Sequence, residues 1–150
     1  MISEDEMLKR QFEADFEIAK KINVSYRKIM RGIISDYNIT VDKFMRKTHL
    51  SKSTYYNLVE GKRKPAIETI VAFAVVFGIS LRNIETLLRA FGLGFEHKNI
   101  VHHAYTRLIE QHSGKTITEC NQILNKIGIE PAFWLKDPYN YEEYRMLGNR

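Results

Sequence analysis

The sequence LSKSTYYNLVEGKRKP, residues 50–65, predicts a short helix with defined ends. Ser51 is a residue type that caps helix N-termini, and Gly61 can end a helix in a left-handed conformation. Pro65 then prevents the helix from continuing. The stretch therefore predicts a helix over residues 52–60.

This helix has two chemically different faces. Tyr55, Leu58 and Val59 recur at helical spacing and predict a buried face. Hydrogen-bonding side chains occupy the other face: Lys52, Ser53, Tyr56 and Asn57. Three basic residues follow in the loop: Lys62, Arg63 and Lys64. A polar outer face beside a basic loop is typical of a helix that contacts an anionic partner.

A second short helix is predicted just upstream, over residues 41–47. Thr40 caps its start, and Phe44 and Met45 can pack on the helix 52–60. A tight turn, residues 48–50, joins the two helices. This is the helix-turn-helix arrangement, in which the second helix enters the major groove of DNA.

These motifs resemble the λ-repressor and Cro-like (XRE) family of bacterial and phage DNA-binding domains. The residues that carry the resemblance are Ile39-Thr40, Phe44, Ser51-Lys52-Ser53-Thr54, Leu58 and Gly61-Lys62-Arg63-Lys64-Pro65. It covers about residues 25–90 and implies an all-α, five-helix domain that binds double-stranded DNA. One helix reads only a few base pairs, and the resemblance therefore also implies a homodimer that binds a palindromic site.

The chain departs from the family pattern at several positions. His49 stands where the turn normally holds glycine, which a left-handed histidine can tolerate. Met45 replaces a small alanine, and Val41 replaces a glutamine that often binds phosphate. The family's buried Arg–Glu ion pair corresponds here to Ile34 and Val59, and we expect an apolar pair to serve in its place.

The positive charge is concentrated on the motif. The chain carries a net charge of +5, yet residues 25–64 alone contain ten basic and three acidic side chains, a net +7. Residues 1–24 are net −2, and the remainder is neutral. Clustered Lys and Arg favour a polyanion, because phosphate neutralisation releases counterions. The alternative is an ordinary solvated basic surface.

Composition excludes several classes of protein. A hydrophobic content of 44% supports a hydrophobic core. The sequence contains no run of 18 apolar residues, so it does not predict a membrane span. The acidic start, MISEDE, is unlike a signal peptide, and Cys120, as a single cysteine, cannot form an internal disulfide. We therefore expect a cytoplasmic protein.

Residues 1–24 predict a separate N-terminal helix ahead of the motif domain. Ser3 and Glu6 have capping-box spacing, and an apolar stripe includes Phe12 and Phe16. The stripe could pack within the chain, the more common outcome, or on a second copy. The next helix carries its own stripe around Tyr26 and leaves Arg27, with Lys28 and Arg31, for solvent or phosphate.

The motif domain is predicted to span residues 25–94. Residues 66–77 are almost uniformly apolar and could form a strand by composition, but Pro65 and Gly78 favour a helix. Ser80 caps a further helix to Phe91, and Gly92 and Gly94 end it.

Residues 95–150 predict a helical extension with an aromatic tail. Two helices, residues 99–112 and 118–127, are separated by Ser113-Gly114-Lys115. The tail contains Trp134 and three tyrosines, at 139, 141 and 144, and either folds back or docks on a protein partner. Of the two candidate dimer surfaces, the Phe12/Phe16 stripe and this extension, the extension has more unassigned apolar area. We therefore expect the chain to dimerise through it, and a truncation after Gly94 to be a folded monomer.

No catalytic or metal-binding pattern is evident. His97, His102, His103 and His112 lie near Cys120, but without Cys-x-x-Cys or a His pair at i, i+4. We expect no cofactor and no metal. No phosphate loop or nucleophile elbow is present either, so the sequence does not indicate an enzyme.

The sequence thus predicts a sequence-specific DNA-binding transcriptional regulator and leaves three interpretations of its role open. The first is a repressor that reads bases with Lys52, Ser53, Tyr56 and Asn57. Its phosphate contacts would be Thr40, Ser51, Thr54, Lys62, Arg63 and Lys64. The alternatives are a protein-interaction module on the same scaffold and an antitoxin that also controls its own operon.

Overall fold

The computed structural model describes residues 2–137, and these form an all-helical structure, as the sequence predicts. The helices are α1 (Glu4–Asp36), α2 (Val41–Thr48), α3 (Lys52–Glu60), α4 (Ile67–Phe77), α5 (Leu81–Arg89), α6 (Ile100–Gln111) and α7 (Ile117–Lys126). A 3-10 turn, Pro131–Phe133, follows α7. The predicted tail residues Tyr139, Tyr141 and Tyr144 lie outside the described residues.

The first helix is longer than predicted. The expectation of two helices meeting near residue 24 is wrong, because α1 runs without interruption from Glu4 to Asp36. No glycine or proline lies between residues 4 and 31 to break it. At about 1.5 Å per residue the helix is roughly 50 Å long. Its C-terminal part buries Tyr26, Met30 and Ile33.

The N-terminal half of α1 is exposed to solvent within the described residues. Residues 2–21 are exposed throughout, including the aromatic rings of Phe12 and Phe16. The expectation that this stripe packs within the chain is therefore not met in residues 2–137. The helix begins, as predicted, with Ser3, whose side chain accepts a hydrogen bond from the Glu6 amide at 3.2 Å.

The core of the motif domain is formed by α1 to α5 around Phe44. The Phe44 ring lies 5.2 Å from the Tyr55 ring and 6.3 Å from the Phe73 ring, which joins α2 to α3 and α4. The side chain of Ser80 caps α5 by accepting from the Asn83 amide at 3.2 Å. The helix ends at Arg89, two residues earlier than predicted, and the chain turns at Gly92 with a φ of 68°.

The most apolar helix, α4, is enclosed on all sides. Residues 70–76 are all buried, since α2 and α5 pack against this helix and α6 packs against it too. A helix that is apolar all round needs such cover. The apolar run is thus explained by the extension, which uses a side of α4 that the motif domain leaves open.

The extension belongs to the same hydrophobic core as the motif domain. The Gly114 amide between α6 and α7 donates a 2.7 Å hydrogen bond to the Val75 carbonyl on α4. Leu108 of α6 and Leu124 of α7 are buried. Helix α7 starts at Ile117, one residue before its predicted start, because Thr116 and Glu119 form a capping box.

The segment after α7 folds back onto the extension. Asn121 is fully buried, and its amide group exchanges two 2.8 Å hydrogen bonds with the backbone of Leu135. Trp134 is 7% exposed and donates from Nε1 to the Ile129 carbonyl at 2.8 Å. Part of the apolar area that favoured the extension as a dimer surface is therefore covered within the chain, and dimerisation through the extension stays a prediction.

Among residues 2–137, none of the helices combines the length and the apolar composition that crossing a membrane requires.

Candidate nucleic-acid interface

The turn between α2 and α3 is fixed by a buried threonine. The hydroxyl of Thr48 donates to the Phe44 carbonyl at 2.6 Å and accepts from the Leu50 amide at 3.1 Å. His49 adopts a left-handed conformation with a φ of 59°, as expected of the residue that replaces the usual glycine. These contacts hold the two helices at one relative orientation.

The N-termini of α2 and α3 are both capped and exposed. Thr40 accepts from the Lys43 amide at 3.2 Å, and Ser51 accepts from the Thr54 amide at 3.1 Å. The hydroxyls of Ser51 and Thr54 also lie 2.9 Å apart. Exposed amides and hydroxyls at a helix start suit a phosphate, since the helix dipole favours an anion there.

The two faces of α3 differ in burial as the sequence predicts. Tyr55 and Leu58 are buried, and burial, together with the neighbouring Tyr56, raises the pKa of Tyr55. The predicted base-contacting residues all lie on the exposed face: Lys52, Ser53, Tyr56 and Asn57. The Lys52 ammonium lies 6.0 Å from the centre of the Tyr56 ring. The structure thus brings the four side chains together on one surface.

The other end of α3 is held by side chains from α1. Asn23 Nδ2 donates to the carbonyls of Glu60 and Gly61, at 3.2 and 2.6 Å. Arg27 Nε donates to the same Glu60 carbonyl at 2.9 Å. The last carbonyls of a helix lack partners within it, so these donors complete its hydrogen bonding. Cationic Arg27 also suits the negative end of the helix dipole.

Tyr26 of α1 also binds α3. Its hydroxyl donates to the Leu58 carbonyl at 2.6 Å, and burial raises the pKa of the phenol. Gly61 lies directly against the ring and has a φ of 61°, so a side chain there would overlap Tyr26. The close approach of α1 and α3 therefore depends on a glycine at this position.

Sequence reasoning missed this attachment. Arg27 was expected to face solvent or phosphate, whereas its Nε binds the end of α3. Ile34 and Val59 are half-buried, and each packs against the core. The spacing of Asn23 and Arg27, one helical turn apart, was the only available signal, and it did not reveal their target.

The basic residues after α3 differ in their surroundings. Lys62, Arg63 and Lys64 are all exposed, and Lys62 forms an ion pair of 3.3 Å with Glu60. Two cations of α2 are also used within the fold: Lys43 donates to the Asn38 carbonyl at 3.0 Å, and the Lys47 ammonium lies 5.4 Å from the Phe77 ring centre. Arg63 and Lys64 are thus the loop cations best placed for phosphate contact.

Two histidines of the extension hydrogen-bond to the backbone. His102 Nδ1 accepts from the Glu96 amide at 2.9 Å, and His103 Nε2 bonds to the His97 carbonyl. In the described part of the chain, no group of three or more His, Cys, Asp or Glu side chains could hold a metal ion. Burial raises the pKa of the Cys120 thiol to about 12, which disfavours the reactive thiolate.

Comparison with known protein families gives a match for one segment of the chain. Residues 36–84 match the family model described as helix-turn-helix. The matched segment runs from the last residue of α1 into α5 and contains α2, the turn and α3. No curated protein and no solved structure matches the chain.

Proposed function

We propose that the chain is a sequence-specific transcriptional repressor with a DNA-binding domain of the λ-repressor and Cro-like kind, a proposal supported by the match of residues 36–84 to the helix-turn-helix family model. The observation that carries the proposal is the exposed polar face of α3. Its four side chains point away from the core, while the helix itself is fixed by Thr48 at one end and by α1 at the other. A rigid helix with an exposed hydrogen-bonding surface suits base recognition in the major groove.

Two of these side chains can distinguish base pairs. A lysine such as Lys52 can donate to O6 and N7 of guanine, and an asparagine such as Asn57 can bond to N6 and N7 of adenine. Ser53 and Tyr56, which flank them, add hydrogen bonds to base edges or to the backbone. We assign base recognition to this set of four.

The phosphate contacts would surround this surface. Thr40 and Ser51 lie at exposed helix starts, with Thr54 beside Ser51, and Arg63 and Lys64, with Lys62, lie in the loop beyond α3. Phosphate contacts fix the orientation of a reading helix without adding sequence information. They would set affinity and its dependence on salt, while α3 sets specificity.

The mechanism of repression would be occupancy, in which a bound protein excludes polymerase from its operator. DNA as the partner supports a cytoplasmic location. The proposal requires no cofactor and no catalytic step.

Asn57→Ala tests the proposal most directly. The variant should lose about 1 to 3 kcal/mol on the best site selected from random DNA and lose preference at one base pair. Asn125→Ala on α7 is the matched control, because Asn125 is also an exposed helical asparagine. An equal loss on every DNA sequence would contradict base recognition by this residue.

The main alternative is a protein-interaction module or an antitoxin that binds its partner through residues 95–150. The observation in its favour is that Ile100 and Ile127, both exposed, line one groove between α6 and α7. A folded protein that selects no DNA sequence would favour the interaction module. Selective DNA binding together with co-purification of a neighbouring gene product would favour the antitoxin.

A further inference from the structure

The N-terminal half of α1 presents an apolar face with no partner among residues 2–137. Phe12 is 70% exposed and Phe16 51%, and Leu8 is also exposed on this face. At 100° per residue, Leu8 and Phe12 lie on the same side of the helix as Tyr26 and Met30. One continuous stripe is thus buried by the domain in its C-terminal part and uncovered in its N-terminal part.

A groove lies where the uncovered stripe meets the domain. This groove has a volume of about 610 Å³. Apolar and basic residues line it together, among them Phe16, Ile22 and Phe91 with Lys20, Arg27 and Lys62. Its occupant should therefore combine apolar side chains with negative charge.

The first turn of α1 has this composition. Glu4, Asp5 and Glu6 are acidic, and Met7 and Leu8 follow. About four helical turns later the same helix carries the basic pair Lys20 and Lys21. A second copy lying antiparallel would bring its acidic turn level with this basic end, whereas a parallel copy would oppose like charges.

We propose that two copies of the chain pair antiparallel through residues 4–24 of α1. Phe12 of one copy packs near Phe16 of the other, on both sides of the two-fold axis. Leu8 of each copy reaches the partner's groove, where the acidic first turn faces Lys20 and Arg27. The pair is isologous, so each charge contact occurs twice.

The apolar face offers area for a weak, concentration-dependent contact. Leu8, Phe12 and Phe16 are 59%, 70% and 51% exposed. Together these side chains present roughly 350 Å² per copy, so two copies would bury about 700 Å² through them, a size typical of weak interfaces.

The pairing also suits the proposed function, on which this step rests. If residue 14 lies at the two-fold axis, the two Ser25 positions are on the order of 33 Å apart at 1.5 Å per residue. That is close to the spacing of about 34 Å between half-sites one DNA turn apart. Since Asn23 and Arg27 hold the end of α3, the same helix would set the separation of the two reading helices.

Sedimentation velocity of the full chain over a range of concentrations tests the pairing. The wild type should be a dimer, and Phe12→Glu with Phe16→Glu should weaken the dimer roughly a hundredfold or more. Both residues are exposed, so the helical content measured by circular dichroism should be unchanged. The matched control is Ile100→Glu with Ile127→Glu, two exposed residues of the extension, which should leave the dimer intact.

Charge reversal tests the orientation. Changing Glu4, Asp5 and Glu6 to Lys should weaken an antiparallel dimer by roughly three- to tenfold. Adding Lys20→Glu and Lys21→Glu to the same chain should restore it, because the two ends again carry opposite charge. No restoration would overturn the antiparallel arrangement.

The outcomes separate this inference from the proposed function. A monomeric wild type, or a dimer lost only in the Ile100→Glu, Ile127→Glu variant, overturns pairing through α1 whatever DNA binding shows. A dimer sensitive to Phe12→Glu and Phe16→Glu that binds no DNA supports the pairing and contradicts the repressor. If both hold, the phenylalanine variant should bind a single half-site like the wild type and lose its preference for paired half-sites.

Discussion

The hydroxyl of Tyr26 on α1 donates a 2.6 Å hydrogen bond to the backbone carbonyl of Leu58 on α3. This bond joins the helix that anchors the domain to the helix proposed to read DNA. Gly61 lies against the same ring. Asn23 donates to the carbonyls of Glu60 and Gly61, and Arg27 donates to that of Glu60. The position of α3 is therefore set by side chains that lie outside the helix-turn-helix itself.

Gly61→Ala should destabilise the protein and displace α3. A left-handed alanine costs about 1 to 2 kcal/mol, and overlap with the Tyr26 ring should raise the total above about 3 kcal/mol. Gly92→Ala is the matched control, since Gly92 has a φ of 68° and open space around it. Urea denaturation should show a clearly larger loss for Gly61→Ala, and equal losses would argue against close packing with Tyr26.

The Tyr26 phenol should make the protein sensitive to alkaline pH. Burial raises its pKa, so the native state keeps this proton while the unfolded tyrosine releases it near pH 10. Native stability should therefore fall as the pH rises past about 10, because the unfolded state then binds fewer protons.

Tyr26→Phe isolates this effect. The variant should lose about 1 kcal/mol at pH 7, where the hydrogen bond to Leu58 is intact in the wild type. Its free energy of unfolding should then decline less steeply than that of the wild type between pH 9 and 11. Parallel declines would show that Tyr26 ionises equally in both states. Tyr105, whose pKa is also raised by burial, provides a second test through Tyr105→Phe.

Arg63→Ala with Lys64→Ala should weaken binding to all DNA sequences alike. Each lost phosphate contact should reduce the slope of log affinity against log salt by about 0.9. Arg82→Ala with Arg89→Ala, two exposed cations on α5, is the control with the same change in net charge. Fluorescence anisotropy from 50 to 300 mM salt measures the slope, and a slope equal to that of the control would remove the loop from the interface.

Leu108→Ala should destabilise the motif domain as well as the extension. Leu108 is 1% exposed and belongs to the core that both parts share, so the cavity should cost about 2 to 5 kcal/mol. Trp134, the only tryptophan, reports on the extension, and circular dichroism reports mainly on the other helices. Both signals should change in one urea transition, with the midpoint lower than in the exposed control Ile127→Ala.

Two separate transitions would instead mean that the extension unfolds alone. The same shared core changes the expectation for a truncation after Gly94. Removing α6 would uncover α4 along its length, so we expect the shortened chain to aggregate or unfold.

The helix-turn-helix could be predicted from sequence because its signals are local. Ser51, Gly61 and Thr40 define helix ends through contacts within a few residues, and the structure places α3 over the predicted residues, Lys52–Glu60. The division of α3 into a buried and an exposed face follows from the same helical period. These features depend on neighbours in the chain, so the sequence determined them.

The tertiary structure decided which surfaces remained uncovered. The sequence alone could not show that Trp134 turns inward or that the Phe12 stripe stays outside, because apolar residues look alike before their partners are placed. Nor could it show that Asn23 and Arg27 reach the end of α3, more than 30 residues away. Such contacts depend on how helices pack in three dimensions, and for this reason the fold followed from the sequence while the anchoring of α3 and the candidate pairing face did not.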